Sequence, residues 1–303
     1  AIRRGPLAPP EAGTEVFAIH DQAGSYTSPT NVGFPVDLSI MAKRTGTGSN
    51  STVGDRLRGS TKFLSTSQTN AEDVGIDWQF DLQNNFQSTW TTGTISWMWK
   101  RAPSFFDAVA YTGTGSAMTL SHNLSAIPEM MWIKKRGASD DWAVYHSGIG
   151  NTKTLFLNAT NASSTKIYWN NTTPTATQFY LGDHSKVSGA NNYIAYLFST
   201  LDGVSKVGSY TGTGGYVLAD CGFTSGARFV LIKRTDAAGD WYLWDTTRGI
   251  TSGNDPYLLL NSTAAEVTNT DYIAEDTSGF YVSFNAPAAL NASGGSYIFY
   301  AVA

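Results

Sequence analysis

MWIKKRGASDDWAVYHSGIG, spanning Met131–Gly150, returns without a gap as VLIKRTDAAGDWYLWDTTRG at Val230–Gly249. Asp141-Trp142 falls on Asp240-Trp241, and Lys134 on Lys233. Each run opens on dense apolar residues, as a central strand does. It then passes through a short Gly, Ala and Asp stretch that suits a turn, because such residues accept the backbone angles tight turns need. A second apolar strand follows. Neither run spaces apolar residues at i, i+3, i+4 and i+7 between caps, so the pattern is that of paired strands.

The match extends outward in both directions. TLFLNAT at Thr154–Thr160 corresponds to YLLLNST at Tyr257–Thr263, and NNYIAYLF at Asn191–Phe198 to GSYIFYAV at Gly295–Val302. Upstream, AYTGTGS at Ala110–Ser116 corresponds to SYTGTGG at Ser209–Gly215. GSYT occurs at Gly24–Thr27 and again at Gly208–Thr211, so Tyr26, Tyr111 and Tyr210 mark three equivalent starts. The first copy is more diverged but keeps the order of landmarks. It has MAKRT at Met41–Thr45, DRLRG at Asp55–Gly59 against DTTRG at Asp245–Gly249, and KFLSTSQTNAE at Lys62–Glu72 against PYLLLNSTAAE at Pro256–Glu266. TISWMWKR at Thr94–Arg101 closes it.

Strand periodicity places Ile95, Trp97 and Trp99 on one face of that closing run. Their counterparts are Ile194, Tyr196 and Phe198, then Ile298, Tyr300 and Val302. A bulky face kept while identity drifts is expected to be buried against a second sheet, each large side chain contributing about 1.5–3 kcal/mol. The expected fold is all-β: three diverged tandem β-sandwich modules of about 100 residues each, with essentially no long helices. The boundaries are an N-terminal tail or linker at 1–13, then modules at 14–102, 103–200 and 201–303. The prolines of GPLAPPEAG, Gly5–Gly13, resist helix and sheet alike.

Composition agrees and narrows the function. Charged residues are 15% of the chain, below the roughly 25% usual for soluble proteins, and the polar positions hold Thr, Ser, Asn and Gly instead. The net charge is −4 and the 20 Lys and Arg are scattered, which argues against a nucleic-acid partner. Cys221 is the one cysteine and can make no internal disulfide. No apolar run approaches the roughly 18 residues of a membrane span, and the N-terminus lacks a signal-peptide core. Synthesis in a cytoplasm, without membrane insertion, is the expectation.

No phosphate-loop, HExxH, GxSxG or EF-hand spacing occurs. The four histidines, His20, His122, His146 and His184, fall at non-equivalent points of the repeats. No catalytic residue, metal or cofactor is therefore expected. Asp140-Asp141 are neighbours on a strand or turn and read as turn residues, in preference to a glycosidase pair or Ca²⁺ ligands. Asp55 with Arg58, and Asp245 with Arg248, form a DxxRG pattern read as a structural salt bridge or turn in preference to a ligand clamp. Trp142 and Trp241 read as core. Trp90, in STWTTG, and Trp169, in YWNNTTPT, sit in polar surroundings and are the candidate glycan contacts.

The string from SYTGTG through IKR, GDW, DTTRG, YLLLNSTAAE and NASGGSYI resembles a duplicated module of unknown function found in structural and tail-fibre-like proteins of marine bacteriophages. The resemblance covers roughly Asp107 to Ala303, with the first module as a more distant copy. It implies a place in a virion and brings no catalytic residues. At HSGIG, His146–Gly150, the second copy departs from DTTRG, which puts a ligand common to both in doubt. The expected function is a non-catalytic virion structural protein, in a tail fibre, tail tip or other appendage used for host attachment. The alternatives, in order, are a capsid decoration or head-fibre protein, a carbohydrate-binding module and, last, a polysaccharide depolymerase. The expected partners are other virion proteins, copies of the same chain with a trimer favoured, and a glycan of the host surface.

Overall fold

Each closing run forms a strand inside a sheet and buries both of its faces. In the computed structural model, which describes residues 8–22, 29–46, 49–88 and 91–303, three main antiparallel sheets follow one another along the chain. The first has the spatial order Phe17–Gln22, Thr94–Trp99, Leu38–Lys43, Thr52–Asp55, Lys62–Ser65, Asp73–Val74. The second has Phe106–Thr112, Asn192–Phe198, Met130–Lys135, Ala143–His146, Lys153–Phe156, Ser164–Thr165. The third has Ser205–Thr211, Ser296–Val302, Phe229–Arg234, Trp241–Asp245, Leu258–Leu259. In every case the closing strand lies between the opening strand and the strand that carries the IKR-type run. The registers agree as well: Ile40 lies opposite Trp97, Trp132 opposite Tyr196 and Leu231 opposite Tyr300. Among the described residues the only α-helix is Ala288–Asn291.

A small sheet covers the outer face of each main sheet. Thr30–Asn31 pairs with Asn85–Phe86, and Met118–Ser121 with Gln178–Leu181. In the third segment Gly279–Val282 pairs with both Val217–Asp220 and Ile273–Asp276. The layers interdigitate as in a sandwich. Met131, Ile133, Tyr193, Ala195 and Leu197 pack with Phe179 and Leu181 in the second segment. Val230, Ile232 and Phe299 pack with Phe280 and Val282 in the third. Met41 and Met98 pack with Phe34, Trp78 and Phe86 in the first.

The inner faces of the three main sheets meet one another. Ile95, Trp97, Trp99, Ile194, Tyr196, Phe198, Ile298, Tyr300 and Val302 all belong to one continuous core. Sequence periodicity identifies this face, but its partner is the other two main sheets, and the small sheet covers the opposite face. The reason lies in residues such as Tyr193, Ala195 and Leu197, which make the second face of the strand apolar too. Rings from different segments touch directly. Phe229 lies edge-on to Phe17 at 5.3 Å and to Trp99 at 5.5 Å between centroids. Phe198 is 5.0 Å from Tyr300 and 6.5 Å from Trp99. The outer packing is equally close: a Cβ on Gly208 would stand 2.3 Å from the Phe299 ring, so only glycine fits there.

Because the central core is common property, Phe229→Ala is expected to cost about 3–5 kcal/mol and to lower the midpoint of one cooperative unfolding transition. Tryptophan fluorescence and far-UV circular dichroism, followed in denaturant, should change together. Two or three separated transitions would mean that the segments fold as independent units.

Candidate functional site

The DxxRG residues lie at junctions between segments, in the interior. Arg58 Nε is ion-paired with Asp55, and both side chains are fully buried. Arg58 N donates to Asp55 Oδ1 at 2.9 Å, Nη2 to Val53 O at 2.7 Å, and Nη1 reaches Glu72 Oε2 at 3.4 Å. Arg248 repeats each contact in the third segment. Its Nε donates to Asp245 at 2.6 Å, its Nη2 to Leu243 O at 3.0 Å, and Nη1 reaches Glu266 at 3.3 Å.

These clusters then cross to the neighbouring segment. Glu72 accepts two hydrogen bonds from Arg136, at 2.8 and 3.0 Å, while its backbone N donates to Arg136 O. Glu266 accepts two from Arg44, at 3.0 and 2.9 Å, and its N donates to Arg44 O. Tyr196 of the second segment donates its hydroxyl to Asp55 at 2.6 Å, and Trp97 of the first donates Nε1 to Asp245 at 3.0 Å. Tyr196 and Trp97 occupy equivalent positions in register. Burial pushes the Glu72 carboxyl up, but the Arg136 hydrogen bonds and the Arg58 charge outweigh it and hold the group below its ordinary value.

At the third junction, between the second and third segments, the charges are absent as a set. His146, Ile149, Ser163 and Thr235 stand where the others have Asp, Arg, Glu and Arg. The backbone bond survives, from Ser163 N to Thr235 O at 2.8 Å. His146 is fully buried, and its Nδ1 accepts from Gly148 N at 3.0 Å; burial pushes its pKa down to about 4. Tyr300, the equivalent of Tyr196 and Trp97, therefore meets no carboxylate, and its buried hydroxyl faces the Trp99 indole instead.

Two lysines add a further tie. Lys134 Nζ donates to Thr69 O of the first segment at 2.9 Å and to Asp140 O at 2.7 Å. Lys233 Nζ donates to Thr160 O of the second segment at 3.0 Å and to Gly239 O at 2.8 Å. Burial pushes both ammonium groups down to about 8. Trp142 and Trp241 are buried beside them, each donating its indole N–H across a junction, to Ser65 O at 2.7 Å and Phe156 O at 2.9 Å.

The tryptophan candidates do not make a glycan surface. Trp169 is 0% exposed, packs edge-on to Tyr145 at 5.6 Å, and donates Nε1 to Lys153 O at 2.8 Å. Its polar neighbours are turn residues, Asn170 and Asn171 having φ of 51° and 48°, while the ring turns inward. Trp90 lies outside the described residues, as does Tyr26. Asp140 is paired with Lys135 and Lys186, and Asp141 with Lys186 at 2.8 Å. Burial opposes the charge of both carboxyls, yet hydrogen bonds from the lysines hold them below the usual range, unlike a general acid. Among the described residues no group of three or more His, Cys, Asp or Glu is placed to hold a metal ion. A groove of about 540 Å³ in the first segment runs over Trp78 and Phe80, but both rings are buried and its exposed Asp81 is ion-paired with Arg56 at 3.1 Å.

What remains on the surface is an aromatic face on the outer sheet of the third segment. Tyr216, Leu218 and Phe284 are 63%, 44% and 55% exposed. Tyr216 lies 5.2 Å from Phe284 and 6.5 Å from Tyr281 between ring centroids. Leu218 sits opposite Tyr281 in register. Sequence reasoning passed over these residues because Tyr-Val-Leu reads as an ordinary strand. The signal lay in the alignment of copies, which sets Tyr216 against Ala117, Leu218 against Thr119 and Phe284 against Asp183.

Over residues 16–303 the chain matches a domain of unknown function, DUF7483. No curated protein and no solved structure matches it.

Arg58→Ile alone is expected to cost about 3–5 kcal/mol, because it strands buried carboxylates. Copying the uncharged junction in full, with Asp55→His, Arg58→Ile, Glu72→Ser and Arg136→Thr, should cost less than the single change in urea melts. A quadruple variant weaker than Arg58→Ile would mean that the ion pairs contribute net stability. The pH dependence has a sign on each side. The stabilisation from the lowered Glu72 carboxyl is complete above its ordinary value of 4.5 and is lost as pH falls through its folded value. Lys134 and Lys233 titrate at about 8 when folded against 10.5 ordinarily, so between those values the unfolded chain binds more protons and stability rises with pH. Urea midpoints from pH 8 to 9 should climb in the wild type and not in Lys134→Met/Lys233→Met. Nearer pH 10 both should fall, because buried tyrosines such as Tyr196 and Tyr210 are held well above their ordinary value of 10.0 and the unfolded chain loses those protons first.

Proposed function

The chain belongs to the DUF7483 family, a domain of unknown function, and we propose that it is a non-catalytic structural protein of a bacteriophage virion, serving in an appendage such as a tail fibre or tail tip through which the particle attaches to its host. The observation that carries this reading is the fate of the charged residues. Asp55, Arg58, Glu72, Asp245, Arg248 and Glu266 are all engaged in ion-pair clusters that reach from one segment to the next through Arg136 and Arg44. Asp140 and Asp141 are paired with lysines of their own segment. Such an interior suits a part that must keep its shape, and the resemblance of the repeats to phage structural modules supplies the context. The duplicated modules, assembly into trimers with other virion proteins, and synthesis in the host cytoplasm before incorporation belong to the same reading.

A carbohydrate-binding role within the same particle is the second reading, favoured by the exposed Tyr216 and Phe284. The two are compatible, since attachment to a cell surface is commonly attachment to its glycans.

Antibody raised against the chain and used for immunogold labelling of purified particles should decorate an appendage, and the purified protein should leave soluble and capsular polysaccharides undegraded. Labelling confined to free protein in the lysate, or release of reducing sugar, would overturn the reading.

A further inference from the structure

The second segment is an internal control for what the scaffold requires. Its outer sheet pairs Thr119 with Tyr180 where the third segment pairs Leu218 with Tyr281. It folds with Ala117, Thr119 and Asp183 exposed at the three positions that hold Tyr216, Leu218 and Phe284. Folding alone therefore does not demand the bulky apolar residues. Exposing them costs solubility, so their presence where the second segment does without them points to a use for the face.

The size and charge of the face select its occupant. Tyr216, Leu218 and Phe284 together expose on the order of 300 Å² of side chain, taking about 150–250 Å² for a whole aromatic. A stable protein partner needs roughly 800 Å² on each side. One or two sugar rings need far less, because the apolar C–H face of a pyranose stacks on a single aromatic ring. Asp220 lies two residues beyond Leu218 on the same face, and Asp276 is paired in register with Gly279 beside it. Their hydrogen bonds, to Gly222 N and to Ser278 N and Oγ, fall on Oδ1. Carboxylates beside aromatic rings accept sugar hydroxyls and repel phosphate, sulfate and sialate.

We infer that Tyr216, Leu218, Tyr281 and Phe284, flanked by Asp220 and Asp276, form a platform that binds a neutral oligosaccharide. Tyr216 and Phe284 supply stacking surfaces set at 81° to each other, which fits a bent chain or branch point better than a flat crystalline one. The inference rests on the attachment reading and gives it a site and a ligand class.

The test replaces the face with that of the second segment, using Tyr216→Ala/Leu218→Thr/Phe284→Asp in the full chain. The probe is an array of neutral gluco-, galacto- and manno-oligosaccharides with sialylated and sulfated counterparts, followed by titration calorimetry on the best neutral ligand. The wild type should bind neutral members, and the variant should bind at least tenfold more weakly with an unchanged melting temperature. Equal binding by the variant overturns the inference, as does a wild type that binds no neutral glycan or prefers the anionic ones. Sedimentation that shows the wild type self-associating through this face, and the variant not, overturns it in favour of a second copy as occupant. Particles that carry the chain but whose binding ignores the variant defeat this inference alone. Absence of the chain from particles defeats the reading beneath it.

Discussion

Packing of three closing strands against one another is the constraint from which the rest of the molecule follows. Each strand has its sheet on both sides and apolar residues on both faces, so it must be covered twice. The small outer sheets cover one face. The other can be covered only by the sheets of the other two segments, because Trp97, Trp99, Tyr196, Phe198 and Tyr300 are too large to be left in water. The sandwiches are thus not beads on a string. Each is half of a core whose remainder the other two provide.

Once the sheets are pressed together, their edges must reconcile polar groups at three junctions. Two do so with charge, running from Asp55 through Arg58 and Glu72 to Arg136, and from Asp245 through Arg248 and Glu266 to Arg44. The third does so with His146, Ile149, Ser163 and Thr235. Removing one member of a buried ion pair leaves a bare charge in a poor solvent, whereas removing all of them leaves ordinary packing. Across the three junctions the four positions, spread over two segments, are accordingly either all charged or all free of the ion pairs. The buried Tyr300 hydroxyl, which has no carboxylate to meet, marks where the exchange is incomplete.

Much of this is legible in the sequence, and the reason is periodicity. The alternation in TISWMWKR and its counterparts identifies the buried face, and DxxRG identifies the ion pairs through their spacing. What the sequence hides is which surface covers a strand that is apolar on both sides, since residues of three distant stretches decide it. Trp169 shows a different failure. Polar neighbours suggest exposure, but Asn170 and Asn171 are there for their left-handed backbone, and the indole finds Lys153 O indoors. The exposed Tyr216 and Phe284 are invisible in isolation and stand out only against Ala117 and Asp183.

Joining the three segments in one chain also settles how many of each surface the folded unit displays. An assembly of three identical modules would show any outer face three times over, and a change to one would be a change to all. Here the third segment carries an aromatic face that the second lacks, so the outer faces within one chain are not interchangeable copies. Valency toward whatever touches that face is then set by how many chains are brought together, and the remaining outer sheets are free to diverge toward different neighbours.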